Sequence, residues 1–302
     1  MKVNEAMAKK MLFNSPAGFF KFSEKFAILG KVIAIGPKNR STVKNILLVS
    51  FLSLIFLLGS SSTTGVREYR IKKIVIDAGH GGKDPGTHGD FSREKDIALK
   101  IALELGTTIK KYLPDVEVIY TRKDDNFIEL IDRADIANKN GADLFISIHC
   151  NSISNPKIKG TETWVMGLHT SEANLQVAKR ENSVILLEES YEENYGDFDP
   201  NSDESHILLS LYQSAYLENS LNLAGRIESQ FKERVGRHSR GVKQAGFVVL
   251  YKTSMPSVLV ETGFLTNTEE EKQLNDVTQQ SYIASGIFRA FRDYKVEIEQ
   301  MH

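Results

Sequence analysis

IVIDAGHGGKDPGTHGDFSREKDIAL, residues 74–99, passes from an apolar run through a glycine-rich loop into a helical pattern. The short run of β-branched residues predicts a buried strand. His80 follows this strand, and Glu94 stands at the head of the predicted helix. Because glycine accepts backbone conformations that other residues avoid, the glycines around His80 allow the chain to turn sharply and to direct this side chain into a cleft.

Strand and helix patterns continue to alternate along the chain. Strands are predicted at 73–78, 116–120, 143–149, 161–166 and 257–261. Amphipathic helices are predicted at 94–112 and 128–139, where apolar residues recur at helical spacing. Strands separated by helices indicate a parallel or mixed sheet that is covered on both faces. We therefore predict a single α/β domain, residues 66–302, with a mixed, largely parallel central sheet flanked by helices.

One region departs from this alternation. After the strand at 161–166 the sequence contains a helical stretch and then an acidic loop with Gly196 and Pro200. These two residues prevent the helix from continuing, and a new helical pattern runs from Ile207 to about Val235. We interpret residues 168–205 as a helical insertion into the core fold.

Charge is distributed unevenly along the chain. The 302 residues have a formal net charge of −1, and 41% of them are hydrophobic, enough for one large or two small cores. Residues 1–44 carry a net charge of +7, so the remaining 258 residues carry −8. An acidic body lacks the basic face that nucleic-acid binding requires. We predict no nucleic-acid partner and treat residues 1–44 as a basic N-terminal extension.

The apolar run NILLVSFLSLIFLLG, residues 45–59, follows this basic segment and precedes the small, polar SSSTTG. This order is typical of a secretory signal, and the run is short of the roughly 20 residues that span a bilayer. We predict export to the periplasm or cell envelope, with residues 45–65 either cleaved near 60–65 or kept as a membrane anchor. The alternative is a buried core helix.

Three predicted strands end near a polar side chain that suits catalysis: His80, His149 and Glu261. In open α/β sheets, ligands bind beyond the carboxyl ends of the strands, so these side chains can converge. With Glu94, the two imidazoles make a suitable zinc site that leaves one position for water. Glu261 is the best-placed carboxylate for proton transfer. The alternatives are that His80 caps a turn, that Glu94 merely suits a helix N-terminus and that Glu261 faces solvent.

Four segments together resemble the zinc-dependent N-acetylmuramoyl-L-alanine amidases, which are peptidoglycan hydrolases. They are IVIDAGHGGKDPG (74–86), REKDIAL (93–99), ADLFISIHCN (142–151) and MPSVLVETGFLTN (255–267). The resemblance implies that His80, Glu94 and His149 bind Zn²⁺ and that Glu261 is catalytic. It also implies hydrolysis of the amide between N-acetylmuramic acid and L-alanine of peptidoglycan, in cell division or wall remodelling. The alternatives are a zinc carboxypeptidase-like peptidase and an inactive peptidoglycan-binding module.

Some amidases of this family have an inserted helix that covers the zinc until an activator protein displaces it. By resemblance, we predict that a glutamate of RENSVILLEES, either Glu188 or Glu189, occupies the open zinc position in the resting enzyme. The alternative is that the insertion forms a wall of the substrate groove. We also expect Cys150, the only cysteine, to be a buried small hydrophobe, and His206 to lie at the surface.

Overall fold

The computed structural model describes residues 40–59, 69–211 and 215–301. Most of the predicted basic extension and the predicted cleavage region at 60–65 lie outside these residues. The apolar run falls within helix α1, Arg40–Gly59, which has 20 residues. No helix in the described part of the chain combines the length and the apolar character needed to cross a membrane.

Six strands form one mixed sheet. They are β1 (Lys73–Ala78), β2 (Glu117–Tyr120), β3 (Leu144–Asn151), β4 (Thr161–Met166), β5 (Ser239–Ala245) and β6 (Ser257–Phe264). Their order is β2-β1-β3-β6-β4-β5. The first four in this order run parallel, β4 is antiparallel to β6, and β5 is parallel to β4. The carboxyl ends of β1, β3 and β6 therefore meet at one edge of the sheet.

Helices cover both faces of the sheet. They are α2 (Glu94–Tyr112), α3 (Leu130–Lys139), α4 (Glu172–Asn182), α5 (Tyr191–Tyr195), α6 (Asp203–Ser210), α7 (Leu217–Gln230), α8 (Val248–Tyr251), α9 (Thr268–Asn275) and α10 (Val277–Met301). Alternate strand residues enter different cores, because successive side chains of a strand point to opposite faces. Ile74 and Ile76 pack with α2, α7 and α10. Val75 packs with α3, α8 and part of the insertion.

The predicted fold class is confirmed, and the predicted strands and the helix at 94–112 agree closely with the observed ones. Strand β5 was missed, because its sequence SRGVKQA is polar and six of its seven residues are only half-buried at the sheet edge. The prediction of one continuous helical segment from Ile207 to Val235 was wrong. α6 ends at Ser210, α7 begins at Leu217, and a π-helical turn, Phe231–Val235, follows α7.

The described part of the chain between β4 and α7 contains several short helices and a 3₁₀ turn, as expected for the predicted helical insertion. α4 begins after Ser171, whose side chain accepts a hydrogen bond from the backbone N–H of Asn174. This is a standard N-terminal helix cap. A 3₁₀ turn, Ser183–Leu187, continues directly from α4, and the short helices α5 and α6 follow.

Candidate metal centre and active site

The loop after β1 holds His80 in an uncommon backbone conformation. Its φ is +62°, and no other non-glycine residue in the described part of the chain has a positive φ. Its Nδ1 lies 2.7 Å from Oδ2 of Asp84, and the backbones of Gly81 and Asp84 exchange two hydrogen bonds. Since Asp84 accepts the Nδ1 proton, the lone pair of Nε2 remains available to a metal.

Two buried arginines hold the carbonyl groups of this loop. Arg133 donates to the carbonyls of His80 and Ala78, at 2.9 Å each, and to the buried carboxylate of Asp77 at 2.9 Å. Arg122 donates to the carbonyls of Ala78 and Gly79. Because a non-glycine residue persists in the left-handed region only when its surroundings determine it, these hydrogen bonds fix the direction of the His80 ring.

Glu94 is the first residue of α2 and is buried. Its Oε1 accepts a hydrogen bond from the backbone N–H of Cys150 at 2.8 Å, and its Oε2 accepts one from the backbone N–H of Thr87 at 2.9 Å. A Cβ at Gly86 would lie within 2.8 Å of the side chains of both His80 and Glu94. Glycine is therefore required at this position by close packing as well as by its φ of +67°.

His149 belongs to β3, and its side chain lies next to those of His80 and Glu94. Its ring packs on Gly79, where a Cβ would lie 2.5 Å from two ring atoms. Its Nδ1 is 3.0 Å from Oε1 of Glu94, and its ring centroid is 4.9 Å from that of His80. The structure thus brings together the three residues that were predicted as metal ligands.

A fourth group of this cluster, Glu181 on α4, was missed. Its Oε2 lies 3.2 Å from Nδ1 of His149 and 3.5 Å from Nε2 of His80. Glu181 follows Leu175 and Ala178 on the buried stripe of α4. A glutamate in register with an apolar stripe was the available sequence signal, because buried acidic side chains are rare unless they have a partner.

The glutamates predicted to occupy the metal position are elsewhere. Glu188 accepts hydrogen bonds from the backbone N–H of Leu130 at 2.7 Å and from the hydroxyl of Tyr195 at 2.7 Å. Glu189 is exposed. The placement prediction is therefore corrected: the 3₁₀ turn carries Glu188 towards the start of α3, and the preceding helix brings Glu181 to the site.

The donor set fits a metal ion. One ligand atom from each of His80, Glu94, His149 and Glu181 lies within 4.8 Å of the others, and all four residues are buried. Nε2 of His80 and Oε2 of Glu181 have no hydrogen-bond partner, although each faces other members of the cluster. Imidazole nitrogens and carboxylate oxygens are the ligand types that Zn²⁺ takes in proteins, so this donor set is suited to Zn²⁺.

Electrostatics within this cluster favour charge on all four groups. Burial by itself lowers the pKa of His80, but the nearby carboxylate of Glu94, the hydrogen bond with Asp84 and the approach of Glu181 raise it well above its usual value. Burial also opposes the charged form of His149, yet Glu181 and Glu94 raise its pKa to about 9. The carboxylates thus compensate for positive charge at this point, whether protons or a cation supply it.

Glu261 lies beside the cluster. It is paired with His149 across the β3–β6 ladder and is fully buried. Neither of its carboxylate oxygens has a hydrogen-bond partner, and Nη2 of Arg180 lies 3.7 Å from Oε1. Burial, together with the charges of Glu181 and Glu94, raises the pKa of Glu261 well above its ordinary value. A carboxylate in such a position is suited to accept and return a proton.

Two other predictions can be compared with the structure. Cys150 is fully buried in the apolar core with α2 and α10, as predicted. The prediction for His206 was wrong, because only 1% of this residue is exposed. Its Nε2 lies 3.0 Å from the carbonyl of Pro200 and its Nδ1 lies 3.3 Å from the amide nitrogen of Asn182. This histidine joins the acidic loop to the end of α4.

Comparisons with known proteins agree with this site. Residues 74–293 match the family described as N-acetylmuramoyl-L-alanine amidase. The chain is 36% identical over 226 residues to the N-acetylmuramoyl-L-alanine amidase AmiA of Escherichia coli, covering 73% of this chain and 75% of that protein. The catalytic domain of the amidase CwlV from Bacillus (Paenibacillus) polymyxa is similar in structure, with 31% identity and a TM-score of 0.55, over 74% of this chain and 97% of that domain.

A second solved structure is that of the CwlD amidase from Clostridioides difficile in complex with the GerS lipoprotein. It shows 27% identity and a TM-score of 0.54 over 74% of this chain. The fold and the site define a hydrolase of the α/β class with a candidate metal centre. This chain belongs to the N-acetylmuramoyl-L-alanine amidase family, which confirms that part of the predicted enzyme activity.

Proposed function

We propose that this chain is a zinc-dependent amidase that hydrolyses the bond between N-acetylmuramic acid and L-alanine in peptidoglycan. The single observation that supports this most strongly is the convergence of His80, Glu94 and His149 beside the buried Glu261. Family membership provides the substrate class. In this proposal residues 66–302 form the catalytic domain, with a regulatory insertion at about 168–205.

The residues of the site have distinct roles in this reaction. His80, Glu94 and His149 hold the zinc ion, which when bound lowers the pKa of water and polarises the amide carbonyl. Glu261 takes a proton from the attacking water and returns it to the amine of L-alanine as the bond breaks. Its burial without a hydrogen-bond partner supports this role, since no competing donor holds the proton-accepting oxygens.

The placement of the insertion over the site supports the proposal that the resting enzyme is inhibited. Glu181 occupies the position beside the three ligands that water or substrate would need. The neighbouring Arg180 donates to the carbonyl of Ser152 and to the side chain of Asn151, and it approaches Glu261. One helical turn therefore covers both the metal position and the catalytic carboxylate. Withdrawal of α4 would free both groups together.

An activator protein fits this arrangement. The insertion exposes the large apolar side chains of Leu186 and Leu187, and helix α6 with the residue after it exposes Ile207, Leu208 and Leu211. Exposed large apolar side chains are available for contact with another protein. The similar structure of CwlD was solved in complex with a lipoprotein. We propose that a partner binds the insertion and withdraws α4 during cell division or wall remodelling.

Export is part of the same proposal. Peptidoglycan lies outside the cytoplasmic membrane, so an enzyme that acts on it must reach the periplasm or cell envelope. The order of basic, apolar and small polar segments before residue 66 is that of a secretory signal or an N-terminal anchor. We propose that this segment is the only contact of the chain with the membrane.

The test is mass spectrometry of purified peptidoglycan after digestion by the native chain, by Glu181→Ala and by Glu261→Ala. Free stem peptides that begin at L-alanine are expected from the first two proteins and not from Glu261→Ala. Zinc content is measured on the same samples and should approach one ion per chain. Fragments cut between amino acids would instead indicate a peptidase. Intact muropeptides together with no bound zinc would indicate a binding module.

A further inference from the structure

A second buried carboxylate, Glu162, stands directly opposite the catalytic one. Glu162 on β4 pairs with Glu261 on β6 in the antiparallel ladder, and only 2% of Glu162 is exposed. Directly opposed residues of antiparallel strands point to the same face of the sheet, with their Cβ atoms about 5 Å apart. Like charges in this position repel each other, so the arrangement requires cations close by.

Two cations of β5 supply this compensation. Nε of Arg240 lies 2.7 Å, and Nζ of Lys243 lies 2.6 Å, from the same oxygen of Glu162. The other oxygen accepts a hydrogen bond from the amide of Asn151 at 2.9 Å. The carboxylate is thus fully satisfied, and two positive charges face one negative charge. This group, Glu162 with Arg240 and Lys243, has a surplus of one positive charge next to Glu261.

Both cations are accessible and held in place. The side chains of Arg240 and Lys243 remain 29% and 22% exposed. The guanidinium of Arg240 lies 5.5 Å from the ring centre of Phe264, and the ammonium of Lys243 lies 5.3 Å from that of Trp164. These cation–π contacts and the shared carboxylate order both side chains beforehand, which reduces the entropic cost of binding a ligand. Each cation also keeps N–H donors that Glu162 does not use.

We propose that Arg240 and Lys243 form a subsite for a free carboxylate on the peptide part of the substrate. This inference rests on the proposed function. In this substrate class the carboxyl group of the sugar's lactyl side chain is consumed in the scissile amide, whereas the peptide keeps at least its C-terminal carboxylate. An ordered cation pair beside the proton-transferring Glu261 would therefore bind the peptide, and not the sugar, and would orient the scissile bond accordingly. Charge-assisted hydrogen bonds from Arg and Lys suit this carboxylate.

A purely structural role is the competing explanation, in which the two cations only offset the charge of Glu162. The two explanations differ in one measurable quantity. A structural role affects every substrate equally, whereas a subsite affects only substrates that present the carboxylate. The ratio of kcat/KM for two substrates of the same protein sample also does not depend on the folded fraction of that sample.

The experiment uses two soluble muramoyl peptides that differ only in their peptide carboxylates, which are free in one and converted to carboxamides in the other. Each is tested with the native chain and in the Glu181→Ala background. We expect the free carboxylate to be preferred by about tenfold or more in kcat/KM, as for one hydrogen bond to a charged group. Arg240→Gln and Lys243→Gln should each lower this preference severalfold, mainly through KM for the carboxylate substrate.

Lys139→Gln is the matched control, because Lys139 is 74% exposed and pairs with Asp135 on its own helix. This variant should keep the full preference. Equal kcat/KM values for the two substrates, measured with proteins that keep Arg240 and Lys243, would overturn the proposal. Equal losses of kcat/KM for both substrates in Arg240→Gln and Lys243→Gln would also overturn it. Cleavage of neither substrate in either background would refute the proposed function, and this subsite with it.

Discussion

At the scale of single residues, the site depends on where four ionisable side chains are directed. His80 is placed by a left-handed backbone, Glu94 by two backbone N–H groups, and His149 by its packing on a glycine. Glu181 differs from these three because it belongs to the inserted chain between β4 and α7. Its contribution to the cluster can therefore change without disturbing the sheet.

We predict that Glu181→Ala raises the basal rate of peptide release from purified peptidoglycan. Loss of one charged contact corresponds to about 1.5–3 kcal/mol, or roughly 10- to 150-fold in the population of the open site. Glu189→Ala is the control, because this exposed glutamate of the same insertion lies outside the cluster. A lower rate for Glu181→Ala, with zinc content reduced in proportion, would show that Glu181 is an essential ligand and not an inhibitor.

At the scale of elements, the loop after β1 is held between α3 and the chain after β2. Arg133 joins the buried Asp77 to the carbonyls of Ala78 and His80. Asp77 also accepts hydrogen bonds from Thr121 and Ser147. The ligand loop thus acquires its rigidity from a polar network that reaches β1, β3, the chain after β2 and helix α3.

We predict that Arg133→Gln weakens zinc binding by at least about tenfold, because outer-shell partners of metal ligands typically contribute that much. The free energy of unfolding should fall by about 3–5 kcal/mol, since Asp77 loses its buried cation. Arg133→Lys should recover part of the stability but not the zinc affinity, because a lysine cannot span both carbonyls. Zinc titration measures the affinity for the metal, and urea unfolding measures the free energy of unfolding. Unchanged zinc affinity in Arg133→Gln would contradict the positioning role.

A second element-scale prediction concerns the loop that precedes α2. Glu271 on α9 accepts hydrogen bonds from the backbone N–H groups of Asp90, Phe91 and Ser92 and from the Ser92 hydroxyl. Although burial opposes it, this set of donors lowers the pKa of Glu271 below its usual value. A lowered folded-state pKa means that the stabilisation is present above the unfolded-state pKa and is lost as the pH falls through the folded-state pKa.

We therefore expect Glu271→Ala to unfold more easily than the native chain at pH 7. The difference in unfolding free energy should shrink as the pH is lowered below about 4, the range in which a glutamate of the unfolded chain becomes protonated. Urea unfolding of both proteins at several pH values measures this difference in unfolding free energy. Glu269→Ala, at an exposed position on the same helix, should show a small difference. A difference for Glu271→Ala that stays constant with pH would exclude the ionised carboxylate as its source.

At the scale of the whole molecule, the candidate metal site joins parts of the chain that are distant in sequence. His80 follows β1, Glu94 begins α2, His149 is in β3 and Glu181 is in α4. These groups are assembled only in the folded state, so a metal that binds them stabilises folding by mass action. If a metal binds here, stability and metal occupancy are linked in this domain.

We predict that zinc at 100 times its Kd raises the free energy of unfolding by about 2.7 kcal/mol. For a domain of this size that is a rise in Tm of roughly 5–10 °C, and a chelator should reverse it. His149→Ala should abolish the zinc-dependent shift. His238→Ala, at an exposed histidine, should retain it. Equal shifts in the two variants would place the zinc outside this cluster.

Much of the sheet could be predicted because its strands are short apolar runs buried on both faces. Such runs are recognisable without knowledge of their partners, as in Ile74–Ile76 and Val258–Val260. Strand β5 could not be recognised in this way. Its stability comes from the backbone hydrogen bonds of β4 and from the cations that face Glu162, and neither appears as an apolar pattern.

The sequence by itself determined the α/β class, the ligand loop, and His80, Glu94, His149 and Glu261 as candidates, because strand ends and glycine-rich turns are local features. Only the tertiary structure decided that Glu181, and not Glu188, reaches the cluster. The depth and rotation of α4 depend on how Leu175 and Ala178 pack against the rest of the domain. Because α4 ends at Asn182 and a 3₁₀ turn follows, Glu188 does not continue the buried stripe that carries Glu181 and meets entirely different surroundings.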